Sequence, residues 1–164
     1  MKNILAIIPA RGNSKSIKNK NIKLLFGKPL IYYSINIAKQ SKLINRVIVS
    51  SESKKIINIA KKYGAETPFV RPKGLSKDSS KDYGVFLHCV EWLEKNENYI
   101  PDLIVHLRPT YPIRSAKIVD KAIKFALRHN KYDCIRSVCE PFQNPYKMWY
   151  LNTNNFLTPL LGNF

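Results

Sequence analysis

The sequence predicts an α/β domain built as a doubly wound, mostly parallel sheet with helices on both faces. Two observations carry that expectation. Short, wholly apolar runs such as Ile4-Leu5-Ala6-Ile7-Ile8 and Val47-Ile48-Val49 alternate with segments whose apolar residues recur at helical spacing. The loops after the apolar runs are polar and chemically distinct: "ARGNSK" after the first, "SSES" after the second, "RPKG" after a third, short one, and "RPTYPIR" after residue 107. Ligands of a doubly wound sheet gather at the carboxyl ends of its strands, so these loops are expected to share one edge.

Taken in order, Asn3 to Ala10 reads as a fully buried strand that runs into a basic loop. Gly27-Lys28-Pro29 opens a helix with Leu30, Ile31, Ile35 and Ala38 on one face, since the fixed φ of proline suits a first helical turn. Arg46 to Ser51 is a second buried strand. Ser53 is placed to cap a helix through about Tyr63, with Ile56, Ile57 and Ala60 inward and Gly64 as its stop. Glu66 to Val70 is expected to be a brief strand. Residues 82 to 95 form a helix with Val85, Cys89 and Trp92 on one row and Phe86, Val90 and Leu93 beside it. Leu103 to Leu107 is a strand, Ser115 to about Leu127 a helix that buries Ile118, Val119, Ala122 and Ile123, and Tyr132 to Val138 a last strand. Strands separated by helices pair in parallel through right-handed crossovers. At 164 residues and 45% hydrophobic content the chain suits one domain, 1–164.

The net charge of +17 raises the question of polyanion binding. Outside residues 11–28, however, the lysines follow helical periodicity, as at Lys54-Lys55, Lys61-Lys62 and Lys121-Lys124, and form no single stripe. No nucleic-acid partner is expected, and a polyanion-binding protein stands as the rival from another class. No stretch approaches the roughly 18 apolar residues that span a bilayer, and Pro9 and Arg11 interrupt the first apolar run, so no membrane association and a cytoplasmic location are expected. Cys89, Cys134 and Cys139 lack metal-site spacing; the first two lie in apolar-periodic segments and read as buried free thiols. His88 and His106 read as packed residues without a catalytic role. The aromatic residues Phe142, Tyr146, Trp149 and Tyr150 suit a surface that meets a partner subunit.

The stretch from residue 9 to 23, "PARGNSKSIKNKNIK", carries Arg11, Lys15, Lys18, Lys20 and Lys23 and no acidic residue. A strand ending in Arg-Gly-Asn-Ser lets successive backbone N–H groups converge into an anion-binding nest. The Gly12 to Ser14 amides would supply its geometry, and Arg11, Lys15 and Lys20 the charge that neutralises a triphosphate. The loop has neither the GxxxxGK[ST] spacing of a Walker loop nor the GxGxxG of dinucleotide binders.

"IPARGNSKSIKNKNIKLLFGKPLIYYSI" resembles the N-terminal signature of the cytidylyltransferases that activate nine-carbon acidic sugars, the CMP-sialic acid synthetase family with its legionaminic and pseudaminic acid branches. The family pattern is close to IPARGGSKGIPRKNI followed by GKPLI. "VIVSSES" is similar to its VSTDS, "RPKGLSKDSSKDYGVFLHCVEWL" to its stretch beginning Arg-Pro, and "LRPTYPIR" to its LQPTSPLR. Four ordered motifs thus extend the resemblance over essentially the whole chain. It implies a Rossmann-like nucleotidyltransferase fold and transfer of CMP from CTP to an acidic sugar, with release of pyrophosphate and with Mg²⁺ as cofactor. Another sugar or cofactor nucleotidyltransferase is the alternative of the same fold.

Position by position, the resemblance implies that Ala10, Arg11, Gly12, Asn13, Ser14 and Lys15 form the nucleotide loop and that Arg11 and Lys20 contact the phosphates as the catalytic cations. Asn21 is placed near the ribose. Arg71 is associated with the cytosine, and the run from Asp78 to Asp82, with Ser79 and Ser80, with the segment closing over that base. Arg108, Thr110 and Arg114 face the acidic sugar, Arg108 where many relatives have glutamine. Asn13 and Ser16 stand where the family pattern has glycine, and Asn13 tolerates the positive φ such a position can demand. Relatives are longer, and the resemblance implies that their further portion holds an Asp-x-Asp pair for the metal and an extension that forms a homodimer. The resemblance thus divides the single domain into a nucleotide-binding part (1–100) and a part on the sugar side (101–164), and the chain is expected to be incomplete in the latter, with Glu52, Asp78 and Asp82 the carboxylates to consider for a metal within it.

Overall fold

The computed structural model describes residues 2–14, 17–129, 131–140 and 148–161. The chain divides into two compact units, Met1–Lys131 and Tyr132–Phe164.

The first unit is built on three parallel strands: β1 (Ile4–Pro9), the later β4 (Arg46–Ser50) and β5 (Leu103–His106), in the order β4-β1-β5. Pairing runs from Leu5 opposite Arg46 to Pro9 opposite Ser50 on one side, and from Ile4 opposite Leu103 to Ile7 opposite His106 on the other. A two-residue hairpin, β2 (Leu24–Leu25) and β3 (Lys28–Pro29), precedes helix α1 (Leu30–Gln40). Its central residues Phe26 and Gly27 both have positive φ, 46° and 75°, the combination that matches the twist of a tight hairpin. Helices α2 (Lys54–Lys62), α3 (Asp82–Glu97) and α4 (Ala116–Arg128) complete the unit.

Alternation along the strands sends side chains to two cores. Ala6 and Ile8 of β1 join Val47 and Val49 of β4 against Ile31, Ile35 and Ala38 of α1 and Ile56 and Ala60 of α2. Leu5, Ile7 and Ile48 point the other way, against Cys89 and Leu93 of α3 and Phe69. Helices therefore cover both faces as expected, and each buried Ile or Leu contributes about 1.5–3 kcal/mol. The chain leaves β1 toward β4 across one face and reaches β5 across the other, so the carboxyl end of β1 is the point where the winding reverses and a ligand crevice opens.

Several local expectations are corrected. Ser53 occupies the N-cap of α2, but its side chain makes no capping bond; its N–H donates to the Ser51 hydroxyl at 3.1 Å. Gly64 does end the helix, with φ 81°. The brief strand at Glu66–Val70 reduces to one bridge, Ile48 with Glu66, because the chain leaves the sheet at Pro68. On α3 the innermost row is Val85, Cys89 and Leu93, with Trp92 only half-buried. On α4 only Ile123 is fully buried: Val119 packs partly on the core, whereas Ala122 is exposed and Ile118 is 64% exposed. Ser115 caps this helix through its side chain, which accepts from the N–H of Lys117 at 3.2 Å.

The second unit holds an antiparallel hairpin, β6 (Trp149–Leu151) with β7 (Leu157–Pro159). The strand expected at Tyr132–Val138 is absent, and Cys134 is exposed rather than buried: without ladder partners this apolar segment has no sheet to enter. Trp149 and Tyr150 lie on β6, whereas Phe142 and Tyr146 lie outside the described residues. No helix among the described residues is long and apolar enough to cross a membrane.

Candidate functional site

At the carboxyl ends of β1, β4 and β5 lies a cavity of about 330 Å³ lined by Pro9, Arg11, Asn21, Arg71, Leu75, Lys77, Asp78, Ser80, Asp82, Val85, Arg108, Pro109 and Thr110. A second cavity of about 290 Å³ is lined by Gly12, Asn13, Ser14, Lys18, Asn19 and Asp78. Asp78 borders both, so the loop after β1 passes between them with Arg11 on one side and Gly12 to Ser14 on the other.

The loop after β1 is held by named bonds. Ala10 is buried, and its N–H continues the β4 pairing by donating to the Ser50 carbonyl at 3.0 Å. The Arg11 carbonyl accepts from Asn21 Nδ2 at 2.8 Å, and Asn21 is itself buried within a 3₁₀ turn at Lys20–Ile22. The N–H of Gly12 donates to Glu52 Oε1 at 2.7 Å. This amide is therefore engaged and does not stand open in a nest as the loop sequence suggests. A Cβ on Gly12 would lie 3.0 Å from the Ser53 Cβ, so only glycine lets the loop approach the start of α2 this closely. Among the described residues of the basic loop the left-handed one is Asn19, with φ 56°, and not Asn13.

The cavity is cationic, and Arg11 and Arg108 are paired with carboxylates across loops. Arg11 Nη1 meets Asp78 Oδ1 at 2.5 Å. Arg108 donates to Asp82 Oδ2, the acidic residue in the first turn of α3, where the helix dipole favours it. His106 Nε2 lies 4.0 Å from the same oxygen, and its ring meets Phe86 edge to face. Arg71 is only 4% exposed; burial pushes its guanidinium below the usual arginine range, opposed by Glu52 and Asp82. Ser80 fixes the turn before α3, accepting from the Lys77 N–H and donating to the Gly74 carbonyl, both at 3.1 Å.

The structure thus gathers Arg11, Asn21, Arg71, Ser80, Asp82, Arg108 and Thr110 around one cavity and Gly12, Asn13 and Ser14 around its neighbour. Lys20, Ser79 and Arg114 line neither. Lys20 is half-buried in the 3₁₀ turn and Ser79 is exposed. Arg114 turns onto its own loop, donating to the carbonyls of Arg108 at 2.6 Å and Tyr111 at 2.8 Å, so it shapes the loop rather than facing the cavity. Lys15 and Ser16 lie outside the described residues. Sequence reasoning missed Pro9, Leu75, Lys77, Val85 and Pro109 as lining residues of the first cavity, Lys18 and Asn19 of the second, and the bond from Gly12 to Glu52, a residue it raises only as a candidate metal carboxylate and by the place of "SSES" at a strand end.

The carboxylates do not fit a metal centre by themselves. Asp78 and Asp82 are each paired with an arginine, Glu52 accepts from a backbone amide, and among the described residues no three Asp, Glu, His or Cys side chains converge.

A sequence profile of the cytidylyltransferase family matches residues 5–155. The chain is 42% identical over 157 residues to a pseudaminic acid cytidylyltransferase of Campylobacter jejuni, covering 94% of this chain and 66% of that protein. It is 36% identical over 121 residues to a CMP-N,N'-diacetyllegionaminic acid synthase of Legionella pneumophila, covering 74% and 52%. Against an N-acylneuraminate cytidylyltransferase of Escherichia coli it is 36% identical over 135 residues, covering 82% and 31%. The chain therefore spans about two thirds or less of the length of these curated relatives. In fold it resembles a CMP:2-keto-3-deoxy-manno-octonic acid synthetase complexed with CTP, with a TM-score of 0.64 at 19% identity over 79% of this chain and 49% of that one. The strand order, the crevice at the end of β1 and the profile match over most of its length agree: the chain belongs to the cytidylyltransferase family.

Proposed function

We propose that this chain binds CTP in the cavity at the end of β1 and takes part in transferring CMP to a nine-carbon acidic sugar, with release of pyrophosphate. The observation that carries the reading is the convergence on one cavity of Arg11 from the loop after β1, Arg71 from the segment that follows α2 and the Glu66 bridge, and Arg108 from the loop after β5. Those cations suit a substrate pair in which both members are anionic. In the reaction a sugar hydroxyl oxygen bonds to the α-phosphorus, the hydroxyl proton is lost, and the bond to the β-phosphate oxygen breaks with its electron pair on pyrophosphate.

Such a transfer asks the protein for alignment and charge compensation rather than covalent chemistry. In this reading Arg11 receives the phosphates with Lys77 and Lys20 nearby in the same field, and Asn21 and Arg71 serve the nucleoside end. Ser80 and Asp82 close the cavity, and Arg108 and Thr110 face the sugar. Arg108 pairs with the Asp82 carboxylate, which supports a position able to receive an acidic group. Pseudaminic and legionaminic acids are the first sugars to offer, since relatives bearing those names match most of the chain. A cytoplasmic setting, where CTP is made, and a homodimer belong to the same reading; exposed Trp149, Tyr150 and Leu157 on the β6–β7 hairpin support an association surface.

The test is release of pyrophosphate from CTP with pseudaminic, legionaminic and sialic acids offered in turn, beside calorimetric titration with CTP, UTP, ATP and GTP. Saturable binding that favours CTP, with turnover on one of the acids, is expected. Equal binding of all four nucleotides would overturn the cytidine assignment.

A further inference from the structure

The Arg11 carbonyl and the Gly12 N–H belong to one peptide group, and two side chains from different elements hold its two ends. Asn21 Nδ2 donates to the carbonyl at 2.8 Å, and Glu52 Oε1 accepts the N–H at 2.7 Å. Asn21 is 6% exposed. The other oxygen of Glu52 is buried and has no hydrogen-bond partner among the described residues, so the Gly12 amide is what anchors this carboxylate. The flanking residues then diverge, Arg11 lining one cavity and Gly12 the other.

We infer that Asn21 and Glu52 are positioning residues that lock the plane of the Arg11–Gly12 peptide and thereby aim the Arg11 guanidinium into the nucleotide cavity. Rotation of this peptide would redirect Arg11 away from the cavity, and neither side chain needs to touch the triphosphate for its loss to be felt. The inference rests on the CTP reading for its functional half only; the clamp itself is a property of the free protein.

Glu52 separates this role from simple electrostatics. Removing a negative charge beside an anion site strengthens anion binding on Coulomb grounds alone. Loss of a positioning residue weakens it. Glu52→Ala is expected to weaken CTP and inorganic tripolyphosphate binding by about tenfold, the scale of a charge-assisted bond. Glu52→Gln keeps an acceptor for Gly12 and is expected to bind as the unaltered protein does or more tightly. In an Arg11→Ala background Glu52→Ala should cost almost nothing further, because its effect runs through Arg11.

The experiment pairs these titrations with nitrogen-15 NMR of the ligand-free protein. The Gly12 amide proton is expected downfield, displaced in Glu52→Ala and largely restored in Glu52→Gln. Tighter binding by Glu52→Ala, or an equal loss with and without Arg11, overturns the positioning role. A Gly12 resonance indifferent to Glu52 overturns the clamp whatever the nucleotides do. Failure of the unaltered protein to bind CTP, with Gly12 still tracking Glu52, overturns the nucleotide reading and leaves the clamp established.

Discussion

Arg71 grips Ser50 by two groups at once: its Nε donates to the Ser50 hydroxyl at 3.1 Å, and a terminal nitrogen donates to the Ser50 carbonyl. The same carbonyl accepts the Ala10 N–H at 3.0 Å. The end of β4 thus ties the loop after β1 to the segment that begins at Arg71, and a change at Arg71 should reach both sides of the cavity.

Arg71→Ala is expected to lower stability by about 1–3 kcal/mol, because the buried Ser50 hydroxyl loses a charged donor and its carbonyl one of two. Arg71→Lys should recover little, since an ammonium cannot reproduce the planar fork that spans hydroxyl and carbonyl. Urea unfolding measures the first effect and CTP titration the second. Unchanged stability in both variants would show that the grip on Ser50 is incidental.

The cysteines should separate by reactivity. Cys89 is fully buried in α3 and burial pushes its thiol up to about 12, whereas Cys134 and Cys139 are exposed. The thiolate is the reacting species, so Cys89 should resist alkylation near pH 8. Quantified with a thiol reagent, two groups should react in the native protein and the third only after denaturation. Rapid reaction of all three would contradict the packing of α3 on the sheet.

His88 gives a pH dependence of defined sign. Burial pushes its imidazole below the usual 6.5, opposed by Glu91 and reinforced by Arg71, while its ring meets Phe69 edge to face. The unfolded chain therefore binds the proton more readily than the folded one. The stability this group contributes is full above 6.5 and is lost as pH falls from there toward and through the folded-state value. Urea midpoints measured between about pH 7.5 and about pH 5 should fall on acidification, and the fall should be smaller in His88→Phe. Parallel curves for the two proteins would remove His88 as the cause.

Periodicity carried the long elements into the structure because their burial is decided locally. The runs Ile4 to Ile8 and Val47 to Val49 cannot be solvated, and α1 and α2 bury Ile31, Ile35, Ala38, Ile56, Ile57 and Ala60 where expected, with Leu30 only half-buried at the start of α1. Glu66–Val70 and Tyr132–Val138 failed for a different reason: a strand exists only with a ladder partner, which sequence does not display. The rule that strand ends collect ligands places Arg11, Arg71 and Arg108 at one edge, and in the structure all three line one cavity. What stayed hidden was pairing. Arg114 looks like a substrate residue until its guanidinium is seen on its own loop's carbonyls, and Gly12 looks like an open donor until Glu52 is seen beneath it.

Arg11 and Lys62 each carry one positive charge, and the structure separates what each does. Arg11 lines the cavity with its guanidinium on Asp78, whereas Lys62 is exposed at the last position of α2. Arg11→Ala is expected to weaken CTP binding by about 1.5–3 kcal/mol, the scale of a hydrogen bond to a charged group, and Lys62→Ala by a few tenths at most. Asp78→Asn should act in the opposite direction, since a triphosphate that engages Arg11 competes with the Asp78 carboxylate for it. Titrations at low and high salt complete the test. The Lys62 effect should vanish as salt screens it, and the Arg11 effect should persist because the guanidinium is only about a third exposed. Equal losses for the two alanine variants, both erased by salt, would mean that the affinity is diffuse attraction to a chain of net charge +17 and that the loop after β1 is one more basic surface.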